Sequence, residues 1–351
     1  MRRLIGMVLL VPLALVPAAD VAPPRGEVIV APGAKLELLY TRAESGKGGL
    51  TEGPAAAPDG SIYFSDITEG TEPGKILRFD PKSGTTTVFA ADSRKSNGME
   101  FDRRGRLIAC EGADHGGRAV VAWDVRTGKR TVLADRYRGK RFNAPNDLTI
   151  DAKDRIYFSD PRYLGNEPRE LEHRAVYRLD PDGTVIEITH DVEKPNGLAL
   201  SPDGRTLYVA DHNNGTDRID PSKPAPKPGA MKVYAFPLNA DGRVAGPRRT
   251  LVDFGPGPGC DGMCVDAAGR LYLTVRETAA PRVQVVDPAS GRTVGIIHTG
   301  PLHPGTKAPV GLPSNVTFGR GTDRRTLYVT VDTSLYRLRM AVDGFHVADA
   351  K

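Results

Sequence analysis

PNGLALSPDGRTLYVAD, residues 195–211, decides the fold. An Asn opens the phrase after one Pro, an apolar step follows, an Asp-Gly turn reverses the chain, and a run of β-branched and aromatic residues ends in an acid. The phrase returns as TEGPAAAPDGSIYFSD (51–66), SNGMEFDRRGRLIACE (96–111), PNDLTIDAKDRIYFSD (145–160), CDGMCVDAAGRLYLTV (260–275) and SNVTFGRGTDRRTLYVT (314–330). The opening residues are Glu52, Asn97, Asn146, Asn196, Asp261 and Asn315, so successive copies start 45, 49, 50, 65 and 54 residues apart. In the first three copies the closing acid (Asp66, Glu111, Asp160) lies 14 positions after the opening residue, and Asp211 lies 15 after Asn196. Self-similarity at such a period marks a repeat architecture.

Each unit predicts a strand, a tight turn and a second strand (Ser61–Phe64, Ile156–Ser159, Thr206–Ala210), then more strand-forming sequence, about four strands in all. The apolar runs are continuous rather than alternating, as in strands buried on both faces. Sheets stacked around an axis bury both faces, and this repeat length suits a propeller blade. No window holds a sustained helical period, and 39 glycines and 29 prolines in 351 residues favour turns. The expected fold is all-β, a six-bladed β-propeller with a central divalent metal site. Glu27–Thr41 precedes the first copy and could supply the outer strand of the last blade, closing the ring without an open edge. Length alone hints at two domains, but one ring absorbs residues 20–351 whole.

Residues 1–19 read differently. Arg2 and Arg3, an apolar stretch from Leu4 to Val16, then Pro17-Ala18-Ala19 have the order of a secretory signal peptide. The apolar run is shorter than the roughly 20 residues that span a bilayer. The expectation is export, periplasmic or secreted, with no membrane attachment after cleavage. Net charge is +5, or +3 without Arg2 and Arg3, and no basic run is interleaved with aromatics, so no nucleic-acid partner is expected. Cys110, Cys260 and Cys264 are an odd count, leaving at least one unpaired within the chain. Cys264 reads as a small core residue, whereas Cys110 and Cys260 both fall near blade ends and could meet. No Cys/His spacing suggests zinc.

In a propeller the loops entering the innermost strands crowd around the channel, so the six opening residues aim at one point. All carry side-chain oxygens and none is cationic. Ca²⁺ takes six to eight oxygen ligands, and Glu52 and Asp261 would balance its charge. The competing explanation is that Asn and Asp are turn formers. Glu at position 52 departs from that explanation, because Glu is no turn specialist.

TEGPA (51–55), RFNAPNDL (141–148), KPNGLALSPDG (194–204) and CDGMCVDAAGRLY (260–272) resemble the signature loops of the SMP-30/gluconolactonase/LRE-like family, over roughly Leu50 to Arg337. The resemblance implies a six-bladed propeller with one divalent cation, usually Ca²⁺, in its channel, and hydrolysis of sugar lactones. It implies metal ligands at Glu52, Asn146, Asn196 and Asp261, with Asn146 also a position that touches substrate or reaches the metal through water. Asn97 and Asn315 match no ligand position and read as turn residues. Asp261 is implied as the acid/base residue as well, an awkward double role for a metal-bound carboxylate.

Substrate contacts are expected from Arg141, Asn146 and Asp147, and from Tyr163 on the stretch Pro161–His173, which reads either as a lid or as an ordinary surface loop. In CEGADHGGR, Glu111, His115 and Arg118 follow a strand; His115 is either a general base or substrate contact, or a surface decoration. The small-molecule partner is a lactone. Two rival readings remain: a related phosphotriesterase, and a non-catalytic propeller that binds a small ligand or a protein while the cation ties its blades together. Which lactone, which cation and which oligomeric state lie beyond the sequence.

Overall fold

Each copy of the phrase folds into the two innermost strands of an antiparallel sheet, and six such sheets surround one axis. The computed structural model describes residues 25–26, 29–42, 49–216, 224, 226–300 and 311–349; the leader read over residues 1–19 lies outside them. The innermost strands are Leu50–Ala56, Ser96–Phe101, Leu148–Ile150, Pro195–Leu200, Cys260–Val265 and Pro313–Phe318. Each packs against the next, and the sixth packs against the first.

The turn inside the phrase is set by its Asp. Asp102 Oδ1 accepts the Arg104 and Arg106 amides while its Oδ2 accepts Arg106 Nε at 2.8 Å. Asp151 with Arg155 and Asp266 with Arg270 repeat the arrangement. A carboxylate that bonds its own downstream amides makes such a turn with little else.

The second strands carry the continuous apolar runs, and Ile62–Ile67 and Ile156–Asp160 are buried along their whole length. They are buried because blades stack face to face. Six apolar clusters result among the described residues, one between each pair of neighbouring blades. Phe158, Tyr177 and Phe142 fill one of them with ring centroids 5.1 to 5.7 Å apart. Each such ring removed from water contributes about 1.5–3 kcal/mol.

Glu37–Thr41 pairs with Ser334–Arg339 and so supplies the outer strand of the sixth blade. The closing strand is shorter than Glu27–Thr41, and before it Arg25–Gly26 adds to the outer strand of the fifth blade, Arg292–His298. Cys110 and Cys260 do not meet. Both thiols are free and buried in different inter-blade clusters. Cys264 is only half-buried and packs at the margin of a third.

Candidate metal and active site

Strand irregularity aims the opening residues at the axis. The inner strands break register at Glu52/Ala55, Ser96/Met99, Pro195/Leu198, Cys260/Met263 and Pro313/Asn315. In the third blade the ladder begins only at Leu148, after Asn146 and Asp147. A bulge bends its strand and redirects a side chain. Here it turns one residue per blade out of the sheet.

Close approach at this level accounts for the glycine that follows in four copies. A Cβ on Gly98 would stand 2.7 Å from Asp147 Cα and 2.9 Å from Asn146 O, and one on Gly197 would stand 2.8 Å from Gly262 Cα. Gly53 also has a φ of 48°. The closing acids hold the loops that enter the channel. Asp160 accepts the Asn143 and Ala144 amides at 2.8 and 2.7 Å, Asp211 those of Glu193 and Lys194 at 2.9 and 2.8 Å, and Asp332 those of Gly311 and Leu312 at 2.9 and 3.2 Å. In these three blades the acid near the second strand's end ties down the loop that enters the inner strand of its own blade. Asp66 and Glu111 are committed otherwise, to Arg42 and Arg130.

Glu52, Asn97, Asn146, Asn196 and Asp261 all line one cavity of about 220 Å³ at the channel mouth. Asn196 Nδ2 donates to Asp261 Oδ1 at 2.7 Å, and Arg276 Nε lies 3.6 Å from Asp261 Oδ2. Glu52 Oε2 accepts the Gly53 amide at 2.7 Å. Burial drives the Glu52 carboxyl well above the ordinary carboxylate range, and the neighbouring charges of Asp261 and Asp147 push it further. Two carboxylates facing one cavity ask for a cation. Among the described residues no three of His, Cys, Asp and Glu gather as ligands. Two carboxylates with the side-chain oxygens of Asn146 and Asn196 on the same cavity would instead offer a hard, oxygen-only set. That set fits a divalent cation such as Ca²⁺.

The other candidates separate. Tyr163 lines the cavity, donates from its hydroxyl to His212 O at 3.0 Å, and lies under the Lys194 ammonium, 4.2 Å from the ring centroid. Its loop is anchored by buried Arg162 and Leu171, and exposed Leu164 lines the cavity beside Tyr163. Asp147 faces the far end of the channel, where Asn315 Nδ2 meets it at 3.4 Å; the third copy has a side chain where its neighbours have glycine. Arg141 is outside the cavity wall, with Nη2 donating to Gly117 O at 2.7 Å. His115 is exposed, outside the wall, and its amide donates to Glu167. Glu111 and Arg118 are spent on Arg130 and on Phe142 O.

Among the cavity residues that sequence reasoning passed over are His212, Arg276 and Lys95. His212 and Arg276 stand one residue past the end of their copies of the phrase, 16 after Asn196 and 15 after Asp261. Ile67 and Gly112, 15 after Glu52 and Asn97, line the same cavity, so the repeat aims a second set of positions at the mouth. Lys95 Nζ donates to Thr68 O at 2.6 Å, and burial lowers its pKa against the pull of Asp114, Glu72 and Glu69.

The gluconolactonase of Zymomonas mobilis is 30% identical to this chain, over 84% of it and 79% of the relative. Pentonolactonase XacC of Haloferax volcanii is 28% identical, over 84% of this chain and 85% of its own. A solved gluconolactonase from Xanthomonas campestris superposes with a TM-score of 0.71 at 30% identity, covering 92% of this chain and 96% of that one. The model of the SMP-30/Gluconolactonase/LRE-like region matches residues 50–333. The chain belongs to the SMP-30/gluconolactonase/LRE-like family.

Proposed function

We propose that this protein is an exported, metal-dependent hydrolase that opens sugar lactones. The observation that carries the reading is the meeting of Glu52, Asn146, Asn196 and Asp261 on one buried cavity. The lactonases among its relatives supply the substrate class, and the order of residues 1–19 supports export.

A divalent cation held by those four residues would act as a Lewis acid on the lactone carbonyl and acidify a water. The chain's own groups do the rest. Asn97 offers an amide to the sugar hydroxyls. Tyr163 and Leu164 cover the mouth, presenting an apolar face to the sugar ring and limiting bulk water. Arg276 sets its guanidinium beside Asp261, where negative charge collects as the carbonyl is attacked. Asp261, with Asn196 on one oxygen and Arg276 near the other, keeps its carboxylate oriented toward the reacting centre.

The test is hydrolysis of glucono-δ-lactone and a panel of γ- and δ-lactones by residues 20–351, before chelation, after it, and with Ca²⁺ restored. Turnover that disappears with chelator and returns with the cation is the expected result. Cation binding with thermal stabilisation but no turnover on any ester would instead make the protein a binding propeller.

A further inference from the structure

One cavity side chain has hydrogen-bonding capacity that the protein leaves unused. His212 ends the strand Thr206–His212 and is 7% exposed. Its backbone is fully engaged: the amide donates to Lys194 O at 2.9 Å, and the carbonyl accepts the Tyr163 hydroxyl. Its ring is not. Nδ1 is buried with no hydrogen-bond partner, and the ring meets Tyr163 only edge to face, with centroids 6.0 Å apart. A neutral imidazole has one donor and one acceptor nitrogen, and a buried polar group without a partner calls for a functional explanation. The ring lines the cavity that holds Asp261 and Asn196. With Nδ1 sealed in the wall, Nε2 is the nitrogen left to the cavity.

We propose that His212 accepts the proton of the water that opens the lactone, an inference that rests on the lactonase reading above. As the water oxygen bonds to the carbonyl carbon, its proton passes to Nε2. When the ring C–O bond breaks, the released alkoxide oxygen takes a proton back from the imidazolium. One water is consumed, a hydroxy acid leaves and the imidazole is again neutral.

The surroundings suit the task. The charged and titratable groups facing His212 are Asp261, Arg276, Lys194 and Tyr163. Burial lowers its pKa, Arg276 and Lys194 lower it further, and Asp261 opposes them. Asp261 then stabilises the imidazolium as it forms. This division of labour also relieves Asp261 of its double role, since its oxygens already face Asn196 and Arg276. His115, the other histidine considered as a base, is exposed and outside the wall.

The experiment compares wild type with His212→Ala and His212→Gln for kcat, KM, the pH profile of kcat/KM, Ca²⁺ affinity by calorimetry, and thermal midpoint. The expected result is a fall in kcat of about 10²–10⁴-fold in both variants. KM, Ca²⁺ affinity and midpoint stay close to wild type, and the acid limb of the profile flattens. Gln can hydrogen-bond from the same place without accepting a proton, so recovery of kcat in His212→Gln overturns the proposal. So does undiminished kcat in His212→Ala, or a loss that follows weakened Ca²⁺ binding. Wild type inert on every lactone would strike the lactonase reading itself and this inference with it.

Discussion

At one end of the channel the six inner strands open around about 220 Å³; at the other they close on about 70 Å³. The strands are the same, so the difference lies in what is added to them. The open end receives five of the six opening residues and the loop carrying Tyr163, whereas Asn315, expected to aim at the same point, lines the closed end with Asp147. The closed end receives a segment outside the repeat, in which Phe345, His346 and Val347 line the channel floor. There His346 Nε2 lies 2.8 Å from Phe318 O, and Arg320 forms an ion pair with Asp349. Both ends hold carboxylates whose pKa values desolvation raises, buried Glu52 above and half-buried Glu100 below. The lesson is that raised carboxylates alone do not distinguish the two ends; the open volume lined by five of the opening residues does.

Removing the carboxylate that the open end depends on should give the largest effect. Asp261→Ala takes away the proposed cation ligand, the partner of Asn196, and the charge facing His212. Lactone kcat/KM should fall by about 10³-fold or more, and calorimetry should show Ca²⁺ binding weakened in parallel. Turnover within tenfold of wild type would move the chemistry out of this end.

The level where the two ends meet is tested by Gly98→Ala. The new Cβ must displace Asp147 or the Asn146 backbone, and overpacking of a tight site costs typically 1–3 kcal/mol. We expect about 3 kcal/mol from urea unfolding, with turnover reduced because Asn146 shifts. An unchanged midpoint would mean the ring is looser at this level than its packing shows.

The propeller was legible because one phrase carries its own turn, its strand and its tether, and because six copies cannot bury their strands except against one another. The ring of opening residues was legible for the same reason. The direction of each side chain was not. Asp147 follows an opening residue just as Gly98 does, yet it faces the closed end; register breaks in five inner strands and a late-starting ladder in the third fix such directions, and no residue type announces either. His115 was the histidine that its Gly-rich setting brought forward, whereas His212, hidden behind the closing acid of its strand, is the one that lines the cavity. Arg25–Gly26 escaped notice because two residues carry no periodicity.

The plug of the closed end is tested by Arg320→Ala. Arg320 is 7% exposed and bonds Asp349, whose side chain is 52% exposed. Because half of that pair is solvated, the loss should be modest, about 1–2 kcal/mol in urea unfolding. Lactone kcat should stay within twofold, since no group of the open end moves. A tenfold loss of kcat would show that the two ends are coupled.

The smallest effect depends on pH. Glu100 Oε2 accepts the Ile150 amide at 3.1 Å, and burial raises its carboxyl to about 8 against the opposing charge of Arg320. The unfolded chain releases this proton near the ordinary carboxylate pKa of about 4.3, so between that value and 8 the folded state binds more protons. Stability from this group is therefore full below the unfolded value and is lost as pH rises toward 8. Glu100→Gln keeps an acceptor for Ile150 and cannot ionise. It should gain about 1 kcal/mol over wild type at pH 9, after allowance for screening by Arg320, and unfold with wild type at pH 5. Thermal melts across that range decide it: curves that stay parallel would mean that Glu100 is solvated, and that the closed end is less closed than the open end is open.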